Sequence, residues 1–348
     1  LPDLLARLSN LQELHLVSKG EPVPSSCLAG IAQLQQLTQL QLSGECSEWE
    51  DIQQGLQQLF AQPLPLPLLR LQLDNVLRDT AFSDEGKKGL DLSGLTQLLE
   101  LVTAQLSEAW VLPAQLTSLQ LETVDEASML QPLRRHQQLQ RLALEVCFAD
   151  SSVEEALELV QIAASMPALQ HLDMRYVYAI DAVHSAPTWK QLPLRELSIF
   201  MDPYFPPDEQ EMASVLQGLA AAVSVTKLVL DAWYAHETDD VDGDGQRLWT
   251  AAPVAACATL AQVTGLRDLC ITQDSVLPPG DALALTALTN LTRLVMNGLD
   301  AGVGSAAAAA LMQSLTQLQH LDLRDCEVDT AECEMRRKQL VQLTQLLL

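Results

Sequence analysis

The chain is poor in aromatic residues, basic residues and long apolar runs, and each shortage excludes a class of protein. Aromatics make up 4% of the 348 residues. Lys and Arg number 20 against 45 Asp and Glu, a formal charge of −25. A surface of that sign repels a phosphate backbone and anionic lipid, so neither nucleic acid nor a membrane is the partner to expect. No apolar run reaches the roughly 18 residues of a membrane span, and no basic segment followed by an apolar one opens the chain. The seven cysteines form no CxxC pair. Cys27, Cys147 and Cys326 fall where small apolar side chains are buried, a usage that favours a reducing, intracellular compartment. GxSxG and HExxH are missing as well. GVGS at 302–305 precedes a helical stretch but lacks the Lys of a phosphate-cradling loop, and reads as a turn. The sequence therefore presents no catalytic residue and no cofactor signature. It has no initiator Met, begins inside a repeating pattern and stops on LLL in mid-pattern, so it reads as a segment of a longer protein, truncated at both ends.

What is abundant is leucine at fixed intervals. LxxLxL or a close variant recurs as LQELHL at Leu11, LTQLQL at Leu37, LLRLQL at Leu68, LTSLQL at Leu116 and LQRLAL at Leu139. It continues as LQHLDM at Leu169, LRELSI at Leu194, VTKLVL at Val225, LRDLCI at Leu266, LTRLVM at Leu291, LQHLDL at Leu318 and LTQLLL at Leu343, with a weaker LLELVT at Leu98. In LxL both apolar side chains leave a short strand on one face and the residues beside them leave on the other. One unit cannot bury its apolar face alone, whereas stacked units bury a continuous core. Leu14, Leu16, Leu142, Leu144, Leu321 and Leu323 are expected in that core. Between the strands, SSVEEALELVQIAASM and DEQEMASVLQGLAAAV carry helical periodicity, with helices also predicted over 47–60 and 305–314. Three prolines in QPLPLPL at 62–68 predict a stiff extended connector.

The repeat resembles that of the leucine-rich repeat family, LxxLxLxx followed by Asn or Cys. Cys147 in LQRLALEVC and Cys326 in LQHLDLRDC match the last position; Val124, Val177, Asp202, Trp233, Asp274 and Leu299 depart from it, so the Asn ladder is absent. The resemblance implies an α/β fold: a single solenoid over 1–348 of about 12–13 repeats, with parallel strands on a concave face and helices and irregular segments on a convex one. Helices are wider than strands, which would bend the stack into a horseshoe like that of the ribonuclease-inhibitor-like branch.

Three irregularities are candidates for function. In HETDDVDGDGQRLW, Asp240, Asp242 and Asp244 alternate and Gly245 follows, as in a calcium loop. Arg247 and Ala251 stand where such a loop needs an aliphatic residue and a bidentate Glu, and a strand precedes it instead of a helix. The three Asp are thus weak metal candidates inside an acidic insertion, expected as an exposed excursion over 236–246. His171, Asp173 and Arg175 repeat as His320, Asp322 and Arg324 on near-identical strands, which duplication alone explains. The third irregularity is aromatic. Tyr176, Tyr178, Phe200, Tyr204, Phe205, Trp233 and Tyr234 are half of all aromatics and include all four tyrosines. They follow the LxL of three consecutive repeats, which would align Tyr176, Phe200 and the Asp231 row on adjacent strands, with Tyr178, Tyr204 and Tyr234 on the adjoining rim. Tyr and Trp dominate binding hot spots, and Arg175, Lys227 and Asp231 would add charge complementarity.

These readings make the chain a non-catalytic scaffold that binds a protein partner on the concave face and aromatic rim. The partner residues are Tyr176, Tyr178, Phe200, Tyr204, Tyr234, Arg175 and Asp231. Two other readings stand beside it. One is a GTPase-activating type of leucine-rich repeat regulator, implied by that family branch's acidity; the other is a calcium-modulated binding module.

Overall fold

A computed structural model describes residues 5, 7–18, 25–44, 49–61, 66–74, 89–124, 126–146, 153–175, 182–200, 209–231, 237–241, 247–249, 255–272, 277–297, 300–326, 328 and 343–347. Its contacts divide the chain into two compact units, one of residues 1–148 and 165–169, the other of 149–164 and 170–348.

The first unit carries strands β1 (Glu13–Val17), β2 (Gln39–Ser43), β3 (Arg70–Asp74), β4 (Glu100–Thr103), β5 (Ser118–Val124) and β6 (Arg141–Val146). All pair in parallel and in sequence order. The register sets Leu14, Leu40, Leu71, Leu101, Leu119 and Leu142 side by side, so each LxxLxL supplies the same rung. Leu142 and Leu144 are 1% exposed. Leu14 and Leu16 are only half-buried, because β1 has a neighbour on one side alone among the described residues. In the weak LLELVT copy, Thr103 takes the second leucine slot, fully buried, and its hydroxyl donates to the Gln105 carbonyl. Helices α1 (Ser25–Ile31) and α2 (Trp49–Phe60) lie between strands, the latter where the periodicity over 47–60 predicts one.

The second unit carries β7 (His171–Arg175), β8 (Glu196–Phe200), β9 (Lys227–Asp231), β10 (Glu237–Val241), β11 (Arg247–Trp249), β12 (Asp268–Thr272), β13 (Arg293–Met296), β14 (His320–Asp322) and β15 (Gln345–Leu347). Seven of these form a parallel ladder in the order β7-β8-β9-β12-β13-β14-β15. Strand β9 pairs directly with β12, so the long interval between Val225 and Leu266 is an insertion that leaves the ladder unbroken. Within the insertion β10 and β11 form an antiparallel hairpin. Connecting segments fold as α3 (Val153–Ala164), α4 (Ala182–Trp189), α5 (Glu209–Ala220), α6 (Cys257–Leu260) and α7 (Asp300–Ser314), and as 3-10 turns over Asp281–Ala287. The GVGS segment lies inside α7, interrupted at Gly304 with φ 59°, ψ 160°, a backbone region open essentially to glycine. Leu321 and Leu323 are fully buried, as the LxL pattern requires.

A hydroxyl ladder runs where each strand opens. The carbonyl of the residue before a strand accepts two successive backbone N–H groups from the next strand, as Gln12 does from Thr38 and Gln39, and Arg195 from Thr226 and Lys227. Where the first donor is Thr, its side chain adds a third bond: Thr38, Thr117, Thr226, Thr292 and Thr344 donate Oγ1 to the preceding carbonyl at 2.9–3.1 Å. Threonine at the strand start thus adds a side-chain bond from one repeat to the next. At the strand end, Cys326 donates its thiol to the Met296 carbonyl at 2.9 Å.

Candidate binding surface

The residues flanking the buried leucines form the open face of each ladder. In the first unit this face carries Glu13, Asp74, Glu100, Glu122 and Glu145 against Arg70 and Arg141, and its glutamine row is tied to itself. Asp74 accepts hydrogen bonds from Gln41, Ser43 and Gln72 at 2.8–2.9 Å, which leaves this polar row internally satisfied.

In the second unit the open face carries three rows. The first alternates between basic and acidic side chains from strand to strand through His171, Glu196, Lys227, Asp268 and Arg293. Glu196 Oε2 lies 3.3 Å from His171 and 3.2 Å from Lys227, and Arg293 bonds Asp268 at 3.0 Å. Burial alone would raise the Glu196 carboxyl, but Lys227 and His171 outweigh it and hold it below the usual carboxylate range. The middle row holds Ser198, Val229, Cys270 and Val295 in register, an uncharged strip between Asp173 and Asp322. Burial pushes the Cys270 thiol up; Asp268 and Asp231 add to this and Arg293 opposes it, so the sulfur stays protonated at neutral pH instead of a reactive thiolate.

The third row contains the predicted partner residues that lie within the described part. Arg175, Phe200, Asp231 and Thr272 stand in register on β7, β8, β9 and β12. The Arg175 guanidinium lies 5.0 Å from the centroid of the Phe200 ring, a cation–π contact, and 3.7 Å from Asp173. Thr272 donates to Asp231 at 2.5 Å. The sequence pattern places Tyr176 beside Phe200, but the strand neighbour of Phe200 is Arg175, because β7 and β8 pair from their first residues onward. Tyr176, Tyr178, Tyr204, Phe205, Trp233 and Tyr234 lie outside the described residues, as do Asp242 and Asp244. Asp240 belongs to β10. No group of three or more potential metal ligands occurs among the described residues. Among them, no helix is long and apolar enough to cross a membrane.

The duplicated strands part company at their arginines. Arg324 clamps Asp322 through Nε at 3.0 Å and a terminal nitrogen at 2.8 Å, and its backbone N–H donates to the same carboxylate. Asp322 is 3% exposed; burial would raise its carboxyl, and the Arg324 bonds bring it below the ordinary value. The threonine ladder and the Cys270 strip were hidden in sequence, since both occupy the variable positions of LxxLxL.

No family model matches the chain, and no curated protein matches it. Solved structures do. The TLR13–ssRNA13 complex gives a TM-score of 0.53 at 15% identity, over 97% of this chain and 45% of TLR13. An internalin from Listeria monocytogenes gives 0.47 at 15% identity, over 99% of this chain and 88% of the internalin. An LRR protein from Leptospira interrogans gives 0.28 at 16% identity, over 100% of this chain and 92% of that one. At these identities the likeness concerns fold alone. With parallel ladders built rung by rung from LxxLxL, the fold is that of a leucine-rich repeat solenoid.

Proposed function

We propose that the chain is a non-catalytic scaffold that binds a protein partner on the open face of the second unit, around Arg175, Phe200 and Asp231. The observation that carries this reading is the third row. A half-exposed aromatic ring, an exposed guanidinium stacked on it and a carboxylate stand on three neighbouring strands; aromatic and Arg side chains are the types enriched at protein interfaces, and the carboxylate adds charge complementarity. The face is nearly balanced in charge, with Arg175, Lys227, Arg293 and Arg324 against Asp173, Glu196, Asp231, Asp268 and Asp322. It is therefore far less acidic than the chain as a whole and does not repel a neutral partner. Tyr176, Tyr178, Tyr204 and Tyr234 follow these strands within four residues in sequence and are included in the proposal. The TLR13 complex contains RNA, but a net charge of −25 weighs against RNA as a ligand here. Connecting helices of 12 residues in three repeats support placement near the ribonuclease-inhibitor-like branch.

Affinity capture with the wild-type chain and with Phe200→Ala as parallel baits identifies partners that depend on this face. Titration calorimetry with such a partner then tests it. Phe200→Ala and Arg175→Ala should each weaken binding about tenfold or more. Gln41→Ala and Gln72→Ala, on the first unit, should leave it unchanged. Equal losses from all four variants would remove the surface.

A further inference from the structure

The first unit contains a cleft of about 600 Å³, within the range that takes a small organic ligand. One wall is the segment before β5. Val111 is pinned to Leu90 and Leu92 by backbone hydrogen bonds, which fixes Trp110, 7% exposed, against the cleft. The other wall is the 3-10 helix Ala127–Arg135, where Leu133 and Met129 anchor one side in the core and Pro132, Arg134 and His136 face the cleft.

Arg134 is the informative residue. Three Lys or Arg side chains are half-buried among the described residues: Arg134, Lys227 and Arg293. Lys227 and Arg293 each rest on a carboxylate. Arg134 does not; its Nε donates to Gln131 at 2.7 Å, which orients the guanidinium without neutralising it. A half-buried cation with no counter-charge among the described residues offers its guanidinium to an anion supplied from outside, as a charge-assisted hydrogen-bond donor. His136 is buried, and burial lowers its basicity so that it stays neutral. The charge of the cleft therefore comes from Arg134 and Arg135 against Glu108, one net positive charge in a chain whose sum is −25. The rest of the lining, Trp110 and Val111 on one wall and Pro132 on the other, is apolar, which suits a ring.

We propose that this cleft binds a small aromatic carboxylate, with its ring against Trp110 and Pro132 and its carboxylate on Arg134. The ring removes apolar wall from water, and the single anion matches the single excess cation. Inorganic phosphate or acetate lacks the ring, and a neutral aromatic lacks the counter-charge; both should bind far more weakly.

The test is titration calorimetry on the whole chain with 1-naphthoate, 1-naphthalenemethanol and acetate. Naphthoate should bind about tenfold or more tightly than the alcohol, with acetate undetectable, since a charge-assisted hydrogen bond at a half-buried site contributes about that ratio. Arg134→Gln should erase the advantage of the acid while leaving the alcohol unchanged. Glu108→Gln should tighten naphthoate severalfold, and Arg141→Gln, an exposed arginine outside the cleft, should do nothing. Circular dichroism establishes that each variant is folded. If Arg134→Gln fails to fold, Glu108→Gln and the acid-to-alcohol ratio decide. The proposal is overturned if naphthoate binds no better than the alcohol, if Arg134→Gln and Arg141→Gln behave alike, or if Glu108→Gln has no effect.

Discussion

Strand β7 and the segment at β14 share one plan, His-Leu-Asp-apolar-Arg, yet the plan leads its arginine to two different partners. In β7 the chain stays extended through Arg175, which projects beside the next strand and meets the Phe200 ring. In β14 the strand ends at Asp322, and Asp325 adopts a left-handed φ of 58°. The chain turns there, and Arg324 folds back onto Asp322. The leucine rungs beneath are the same in both places. Buried periodicity therefore dictates the ladder, while the point at which the strand stops decides whether a surface arginine folds back onto its own strand or lies against the neighbouring one.

The largest expected effects test the shared half of that comparison. Leu172 and Leu321 fill equivalent slots at 2% and 0% exposure, so Leu→Ala at either should cost about 3 kcal/mol in urea unfolding. Leu→Asp there, or at Leu142, buries an unpaired carboxylate and should cost still more. A twofold difference between Leu172→Ala and Leu321→Ala would break the equivalence.

Smaller effects test the half that differs. Asp322→Asn should cost about 1–2 kcal/mol because a buried, charge-assisted clamp is lost. Asp173→Asn should cost about 0.5 kcal/mol, since its oxygen lies 3.7 Å from Arg175 on a more exposed side chain. The Asp322 carboxyl titrates below its unfolded value in the folded chain. Its contribution is therefore complete above about pH 4 and is lost as pH falls through the folded value. The stability gap between wild type and Asp322→Asn should close in acid, which equilibrium unfolding at stepped pH measures. The smallest effect belongs to the hydroxyl ladder. Thr226→Val and Thr292→Val should each cost about 0.5 kcal/mol, because the carbonyl keeps its two backbone donors.

The leucine spacing made the ladder, its register class and most connecting helices legible in sequence, because burial enforces strict periodicity on both. Helix α2 falls inside the predicted 47–60 window, and the Val225–Leu266 interval is an insertion, as its length implied. The hairpin within it was not legible: ETDDV is acidic and lacks the usual alternation of a strand. Register at single-residue resolution also escaped: the pattern aligns Tyr176 with Phe200, whereas the strand neighbour of Phe200 is Arg175. The cleft beside Arg134 left no trace at all. Trp110 and His136 come from irregular segments, and nothing periodic links them before folding brings them to one cavity.

A partner seated on the third row of the second unit shields its backbone amides, which hydrogen exchange on the chain with and without a captured partner reads out. Exchange should slow in peptides covering 171–175, 196–200 and 227–231, with 39–43 and 70–74 unchanged. Protection confined to 39–43 and 70–74, with the Arg175, Phe200 and Asp231 strands unaffected, would contradict that placement.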